Sequence, residues 1–221
     1  MGLTKKNFYK EPDLRTAETI ICTSWDDGGI LDLKIAELLT KYNLPGTFYI
    51  IVDYVGKPGY LTWEQIKELD KRGHAIGSHT IFHPDDLKKC FDEELHLEVQ
   101  YSKDMIEAVL GHYITSFCYP RGRFDQRVRD KVMEAGYLEA RVTGKPGLTD
   151  NTDKFNLPGT VHIFKRPEYG EISILDFAKI QIDKVRKFGG YCNIWGHSLE
   201  LEKFALWDTL EQVLQYVVKV T

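Results

Sequence analysis

Residues 19–52 read TIICTSWDDGGILDLKIAELLTKYNLPGTFYIIV, and this stretch decides the fold. Thr19 to Trp25 is a short run of β-branched and aromatic side chains, the composition of a strand. Leu31 to Tyr42 carries its apolar residues at helical spacing. Asn43-Leu44-Pro45-Gly46 turns the chain, and Gly46 to Val52 supplies a second strand. Strand, helix, strand in that order is a crossover unit: the strands run parallel and the helix covers one face.

The alternation continues along the chain. Thr62 to Arg72 reads as a helix with Thr62 as its N-cap and Gly73 as its stop signal. His74 to Ser78 is a third strand, Phe91 to Leu110 a long helix ended by Gly111, and Ser116 to Tyr119 a strand ended by Pro120. A helix follows near Asp125 to Ala135, then a strand from Leu138 to Val142. Gly144 to Pro158 is polar, without periodicity, and reads as a surface loop. Thr160 to Phe164 and Tyr191 to Trp195 are strands, Ile172 to Phe188 is a helix, and Lys203 to Val220 is the closing helix. Seven strands alternating with helices predict an α/β chain with a parallel sheet rolled into a closed or nearly closed barrel. No repeat or linker composition divides residues 1–221, so a single domain is expected.

With 221 residues, 43% of them apolar, the chain is long enough for one sizeable core. The formal charge of −4, with Lys and Arg scattered among acidic residues, argues against a nucleic-acid partner. Cys22, Cys90, Cys118 and Cys192 form no C-x-x-C pair, and reduced thiols are expected. Met1 to Glu11 lacks the apolar core of a signal peptide, and no stretch has the length of a membrane span. These absences predict a cytoplasmic protein. The face from Leu206 to Val218 serves either the core or an oligomer.

The chemistry gathers at strand ends. Asp26 and Asp27 follow the first strand, and two adjacent carboxylates there repel unless a cation separates their roles. His79 and His83 follow the third strand, four residues apart, the spacing that puts both on one face of a helical turn. One carboxylate and two neutral imidazoles make a catalytic metal set with positions left open. His197 follows the last strand and is the natural acid or base. Pro120-Arg121-Gly122 is either a plain loop or a tight turn whose N–H groups point into the site. All of these lie beyond the C-terminal ends of strands, where α/β barrels build their active sites. His74, His96, His112 and His162 show no such partners, and His162 reads as structural.

The set Thr23-Ser24-Trp25-Asp26-Asp27-Gly28, His79-Thr80-Ile81-Phe82-His83, Phe117-Cys118-Tyr119-Pro120-Arg121-Gly122 and His197 resembles the motifs of the polysaccharide deacetylase family, the NodB-homology group or carbohydrate esterase family 4. The likeness runs from about Ile20 to the last helix, in the family's motif order. It implies a distorted (β/α)7-type barrel that removes N- or O-acetyl groups from sugars with a divalent metal, most often Zn2+, with Co2+, Ni2+ or Fe2+ as alternatives. By position it makes Asp26 the catalytic base, Asp27, His79 and His83 the metal ligands, and His197 the general acid. The backbone N–H of Arg121 takes the place of the oxyanion donor.

The chain departs from the family in four places, one being Arg121, which follows the motif's proline where the family usually has an aromatic residue. Cys118 stands where an arginine orients the catalytic aspartate, and Arg141, at the end of the fifth strand, is the candidate to replace it. The fourth motif's aspartate and aromatic have no clear counterparts, with Asp150 and Asp153 as candidates. Trp195 occupies the place of an aliphatic residue that lines the acetyl pocket. The resemblance thus implies an acetylated sugar or glycan intermediate as substrate. Two alternatives are hydrolysis of a small non-sugar amide on the same barrel and a non-catalytic carbohydrate-binding protein.

Overall fold

The computed structural model describes residues 19–144 and 153–221. Its first half runs β1 (Thr19–Trp25), α1 (Asp32–Lys41), β2 (Thr47–Ile50), α2 (Trp63–Lys71), β3 (Ala75–Ser78), α3 (Asp92–His96), α4 (Ser102–Leu110), β4 (Ser116–Cys118) and α5 (Gln126–Glu134). The second half runs β5 (Glu139–Val142), β6 (Leu157–Pro158), β7 (Val161–His162), α6 (Ile174–Phe188), β8 (Gly190–Gly196), α7 (Ser198–Lys203) and α8 (Trp207–Val220). Among the described residues the strands of the sheet all pair in parallel, in the order β6-β5-β4-β3-β2-β1-β8-β7. This is the rolled parallel sheet with outer helices that the crossover pattern predicts.

The two edges of the sheet are consecutive in the chain, separated only by Gly159 and Thr160. Gly159 N–H donates to Val142 O (2.9 Å), while Thr160 Oγ1 accepts from Asn193 N–H (3.2 Å). One extended segment therefore leans on β5 at its start and on β8 at its end, and it closes the barrel as the seventh strand. The sequence reading began this strand at Thr160 and left Leu157 and Pro158 in a loop. Pro158 explains the difference, since a residue without an N–H suits an edge and obscures a strand. The rest of that loop, residues 145–152, lies outside the described residues.

Strand alternation sorts β1 into two faces. A Cβ on Gly46 would meet Leu39, Thr23 and Trp25, so Thr23 and Trp25 point toward α1 and the helical layer. Cys22 and Ser24 face inward, where Ser24 Oγ donates to Asn193 Oδ1 (3.0 Å) and Asn193 Nδ2 reaches Cys22 Sγ (3.3 Å). Asp26 continues the inward series at the rim. The main core lies between sheet and helices and includes Trp25, Ile35, Leu39, Phe48, Ile66, Phe117, Val132 and Ile182.

Local signals set the helix ends. Thr62 and Gln65 form a reciprocal capping box at α2, and Asp125 caps α5 by accepting from Val128 N–H (3.0 Å). Gly111, at φ 80°, ends α4 in a left-handed conformation that glycine adopts without strain. Two helices differ from expectation. The stretch expected as one helix from Phe91 to Leu110 carries a π-helical turn at Leu97–Tyr101, which brings consecutive Glu98 and Val99 to buried positions. The expected Lys203–Val220 helix begins instead at Trp207, because Ala205 takes φ 52° and separates it from α7, which ends at Lys203. Leu210, Val213, Leu214 and Val217 of α8 are buried in the core, whereas Val218 is exposed. Among the described residues all four cysteines are free, and no helix is long and apolar enough to cross a membrane.

Candidate active site

β1 ends at Trp25, and Asp26 N–H donates to Gly196 O (3.0 Å) at the end of β8. The next residue, Asp27, adopts φ 79°, a costly conformation for a residue with a Cβ, and the turn separates the two carboxylates. Asp26 is 1% exposed. Its two carboxylate oxygens both accept from Arg141 Nη2, and Cys118 Sγ lies 3.0 Å from the same nitrogen. Burial alone would raise the Asp26 pKa, but the Arg141 charge, then those of His79 and His197, hold it below the ordinary carboxylate value. Arg141 also lies over the rings of Trp195 (4.9 Å) and Tyr49 (5.2 Å) inside the barrel. The cation absent at position 118 in the sequence thus reaches Asp26 from β5.

His79 and His83 come together, with ring centroids 4.7 Å apart, but not on a helix. Thr80 and His83 take φ values of 72° and 54°, and the segment is a loop. Pro84 disfavours a right-handed helical conformation at His83. The amides a helix would use are claimed elsewhere: Ile81 and Phe82 N–H donate to Glu98 Oε2 (2.8 and 3.0 Å), and His83 N–H to Thr80 Oγ1 (3.0 Å). The π-helical turn supplies Glu98, a buried carboxylate that the sequence reading did not single out.

Asp27, His79 and His83 offer donor atoms all within 4.8 Å of one another. His79 Nε2 lies 3.6 Å from Asp27 Oδ1, close to the ~3.4 Å edge of a tetrahedron built on zinc bond lengths. His79 Nδ1 donates to Cys118 O (2.8 Å), which fixes the tautomer and turns the Nε2 lone pair toward the other two donors. Burial holds the His79 pKa down to about 4 against the charges of Asp26 and Asp27, so the ring is neutral, the form that ligates. The donor set fits a divalent cation.

His197 follows β8 and precedes α7. Its Nδ1 donates to Glu200 Oε2 (2.7 Å), and the same oxygen accepts from His162 Nε2 (2.9 Å). Burial disfavours a charged His197, yet the Glu200 hydrogen bond, followed by the Asp26 and Asp27 charges, pushes its pKa up to about 9. His162 lies flat on Trp195, with ring centroids 3.9 Å apart and an interplanar angle of 6°. This corrects the reading of His162 as unpartnered. Glu200 was also missed, although its place three residues after His197, in the first turn of a helix, was the available signal.

Trp195 is 2% exposed, and a Cβ at Gly159 would sit 2.6 Å from its indole nitrogen, so the closing segment passes this ring only as glycine. Arg121 adopts φ 55° in a turn closed by Gly122 N–H to Tyr119 O and Arg123 N–H to Pro120 O. Its side chain turns outward to Asp85 (Nε to Oδ1, 2.8 Å), so only its backbone faces the question of catalysis. Asp153 binds Arg129 (2.6 Å) and caps its own loop at Phe155, and Asp150 lies outside the described residues. Beneath the β1–α1 turn, Asp32 is fully buried; burial, with Asp27 and Asp26 adding, raises its pKa well above the carboxylate range.

The family model described as polysaccharide deacetylase matches residues 13–140, and the chain belongs to that family. YxkH of Bacillus subtilis (strain 168) is 29% identical over 136 residues, which cover 61% of this chain and 48% of that protein. The chain thus spans about half the length of that relative. Peptidoglycan-N-acetylmuramic acid deacetylase PdaA of the same organism is 27% identical over 184 residues, 76% of this chain and 68% of PdaA. A peptidoglycan-N-acetylglucosamine deacetylase of Bacillus cereus is 27% identical over 72% of each chain. The Streptococcus pyogenes deacetylase PplD, solved with acetate, shares the fold at TM-score 0.60 and 23% identity, over 65% of this chain and 64% of its own. A CE4 family pseudoenzyme from Bacillus anthracis superposes equally well (TM-score 0.61, 16% identity, 90% of this chain and 61% of its own), so the fold alone does not decide turnover.

Proposed function

We propose that this protein is a metal-dependent deacetylase that hydrolyses N-acetyl, or O-acetyl, groups of a saccharide. One observation carries the reading: Asp26 lies buried and ionised beside the Asp27–His79–His83 donor set, and both of its carboxylate oxygens are committed to Arg141. A pure binding site needs no spare carboxylate, whereas hydrolysis needs a base. The two peptidoglycan deacetylases that align with over 70% of the chain support an N-acetylhexosamine substrate.

A divalent cation, zinc by donor chemistry, held by Asp27, His79 and His83 would supply Lewis-acid polarisation of the acyl carbonyl. Asp26, held ionised by Arg141, takes the proton of the attacking water. The N–H of Arg121 stabilises the developing oxyanion, a role worth about 3 kcal/mol in well-characterised hydrolases. His197 protonates the departing amine, because its Nδ1 is committed to Glu200 and its Nε2 remains to face the substrate. With its pKa up at about 9, His197 holds that proton at neutral pH.

The test is acetate release from a panel of N-acetylhexosamine oligomers, with and without chelator, on the metal-loaded protein. Chelator-sensitive acetate release is expected. Ammonia or ring opening from small amides without acetate would move the reading to a non-sugar amidase. Saccharide binding without turnover in the metal-loaded protein would refute catalysis.

A further inference from the structure

We propose that Glu200 is the positioning residue for His197, and that His162, through its hydrogen bond to the same carboxylate oxygen, sets how strongly Glu200 acts. The inference rests on the deacetylase reading only in calling His197 the general acid.

The geometry is explicit. Glu200 Oε2 accepts from His197 Nδ1 at 2.7 Å and from His162 Nε2 at 2.9 Å. An ionised carboxylate only accepts, so His197 Nδ1 and His162 Nε2 both carry protons. The bond to Glu200 commits Nδ1 of His197 and leaves Nε2 outside it, while His162 keeps a ring stacked on Trp195. Glu200 itself is held by α7, whose first turn includes Glu200 N–H to His197 O (3.0 Å). Three elements thus meet on one oxygen: α7 brings the carboxylate, β7 brings His162, and the β8 end brings His197.

The charges around His197 come from every element packed against it. Asp26 and Asp27 approach from the β1 turn, Glu200 from α7, His162 from β7, and Asp32, its pKa raised by burial, from α1. Arg166 bears on His162 from the other side. Within this set Glu200 contributes the most to retaining the proton on His197. His162 divides its strength, because a second donor on one oxygen draws electron density from the first bond.

Two substitutions read the two roles in opposite directions. Glu200→Gln keeps an acceptor in place and removes the charge; His162→Phe keeps the stack on Trp195 and removes the competing donor. The readout is the titration midpoint and tautomer of His197 in nitrogen-15 NMR of the zinc-loaded protein, beside the pH profile of kcat. Glu200→Gln is expected to lower the His197 midpoint by about one to three pH units and to move the basic limb of kcat with it, KM staying constant. His162→Phe is expected to raise the midpoint, and the double variant to match Glu200→Gln alone. An unmoved midpoint in folded Glu200→Gln, or a fall in His162→Phe, overturns the proposal. Midpoints that move as expected in a protein without acetate release would sink the deacetylase reading and leave this one standing.

Discussion

Replacing Arg141 with methionine isolates the pair on which the proposed base depends. Methionine fills similar volume and removes the charge that faces both oxygens of Asp26, at a position where Arg141 and Asp26 are each 1% exposed. Breaking a buried pair from one side leaves an uncompensated charge and costs about 3–5 kcal/mol. For a domain of this size that is a fall in Tm of about 6–20 °C, measured near neutral pH. The pH dependence gives the sign. In the native protein the Asp26 pKa is depressed, so its contribution is present above the ordinary carboxylate value and fades as pH falls through the folded one. In Arg141→Met, burial acts unopposed by arginine, the pKa rises, and the penalty shrinks as acid protonates Asp26. Thermal melts across pH 4 to 8 follow this directly. Asp26→Asn combined with Arg141→Met should regain part of the lost stability without regaining turnover. If Arg141→Met melts within about 1 °C of wild type at neutral pH and retains its kcat profile, the pairing does not govern Asp26 and the replacement of the missing arginine is refuted.

The other expectations concern the donor set and its supports. Asp27→Ala and His79→Ala should lose bound zinc by elemental analysis, while Asp26→Asn should retain zinc and lose turnover; zinc loss in Asp26→Asn would make Asp26 a ligand. Glu98→Gln weakens the two amide contacts that shape the His79–His83 loop, and zinc affinity measured by chelator competition should fall about 10- to 100-fold. In the metal-free protein the raised His197 pKa stabilises fully below its ordinary value of 6.5, and that stability drains as pH rises through about 9. Glu200, lowered to about 2, contributes above its ordinary value of 4.5 and fades only as pH falls toward 2. Denaturant unfolding between pH 7 and 10 should therefore show a loss that Glu200→Gln largely removes; an equal loss in that variant would contradict the coupling.

Strand and helix placement was legible because each element announces itself locally. β1 matches the expected Thr19–Trp25 to the residue, and the Thr62 cap falls where its side chain marks it. The boundaries that failed are those set by distant partners. Leu157 and Pro158 become strand only because β5 lies beside them, and the His79–His83 segment abandons the helix because Glu98, seventeen residues after Ile81, takes its amides. Glu200 and His162 were invisible as a pair, since their meeting depends on the barrel closing through Gly159.

By itself the sequence determined the parallel α/β barrel and the loops on which Asp26, Asp27, His79, His83 and His197 reside, because periodicity and strand-end position are local properties of the chain. Only the tertiary structure decided which carboxylate is buried against Arg141, that His162 and His197 share one carboxylate oxygen, and that Arg121 turns its side chain away. Those outcomes depend on desolvation and on charges brought within a few ångströms by sheet closure, and no spacing along the chain encodes them.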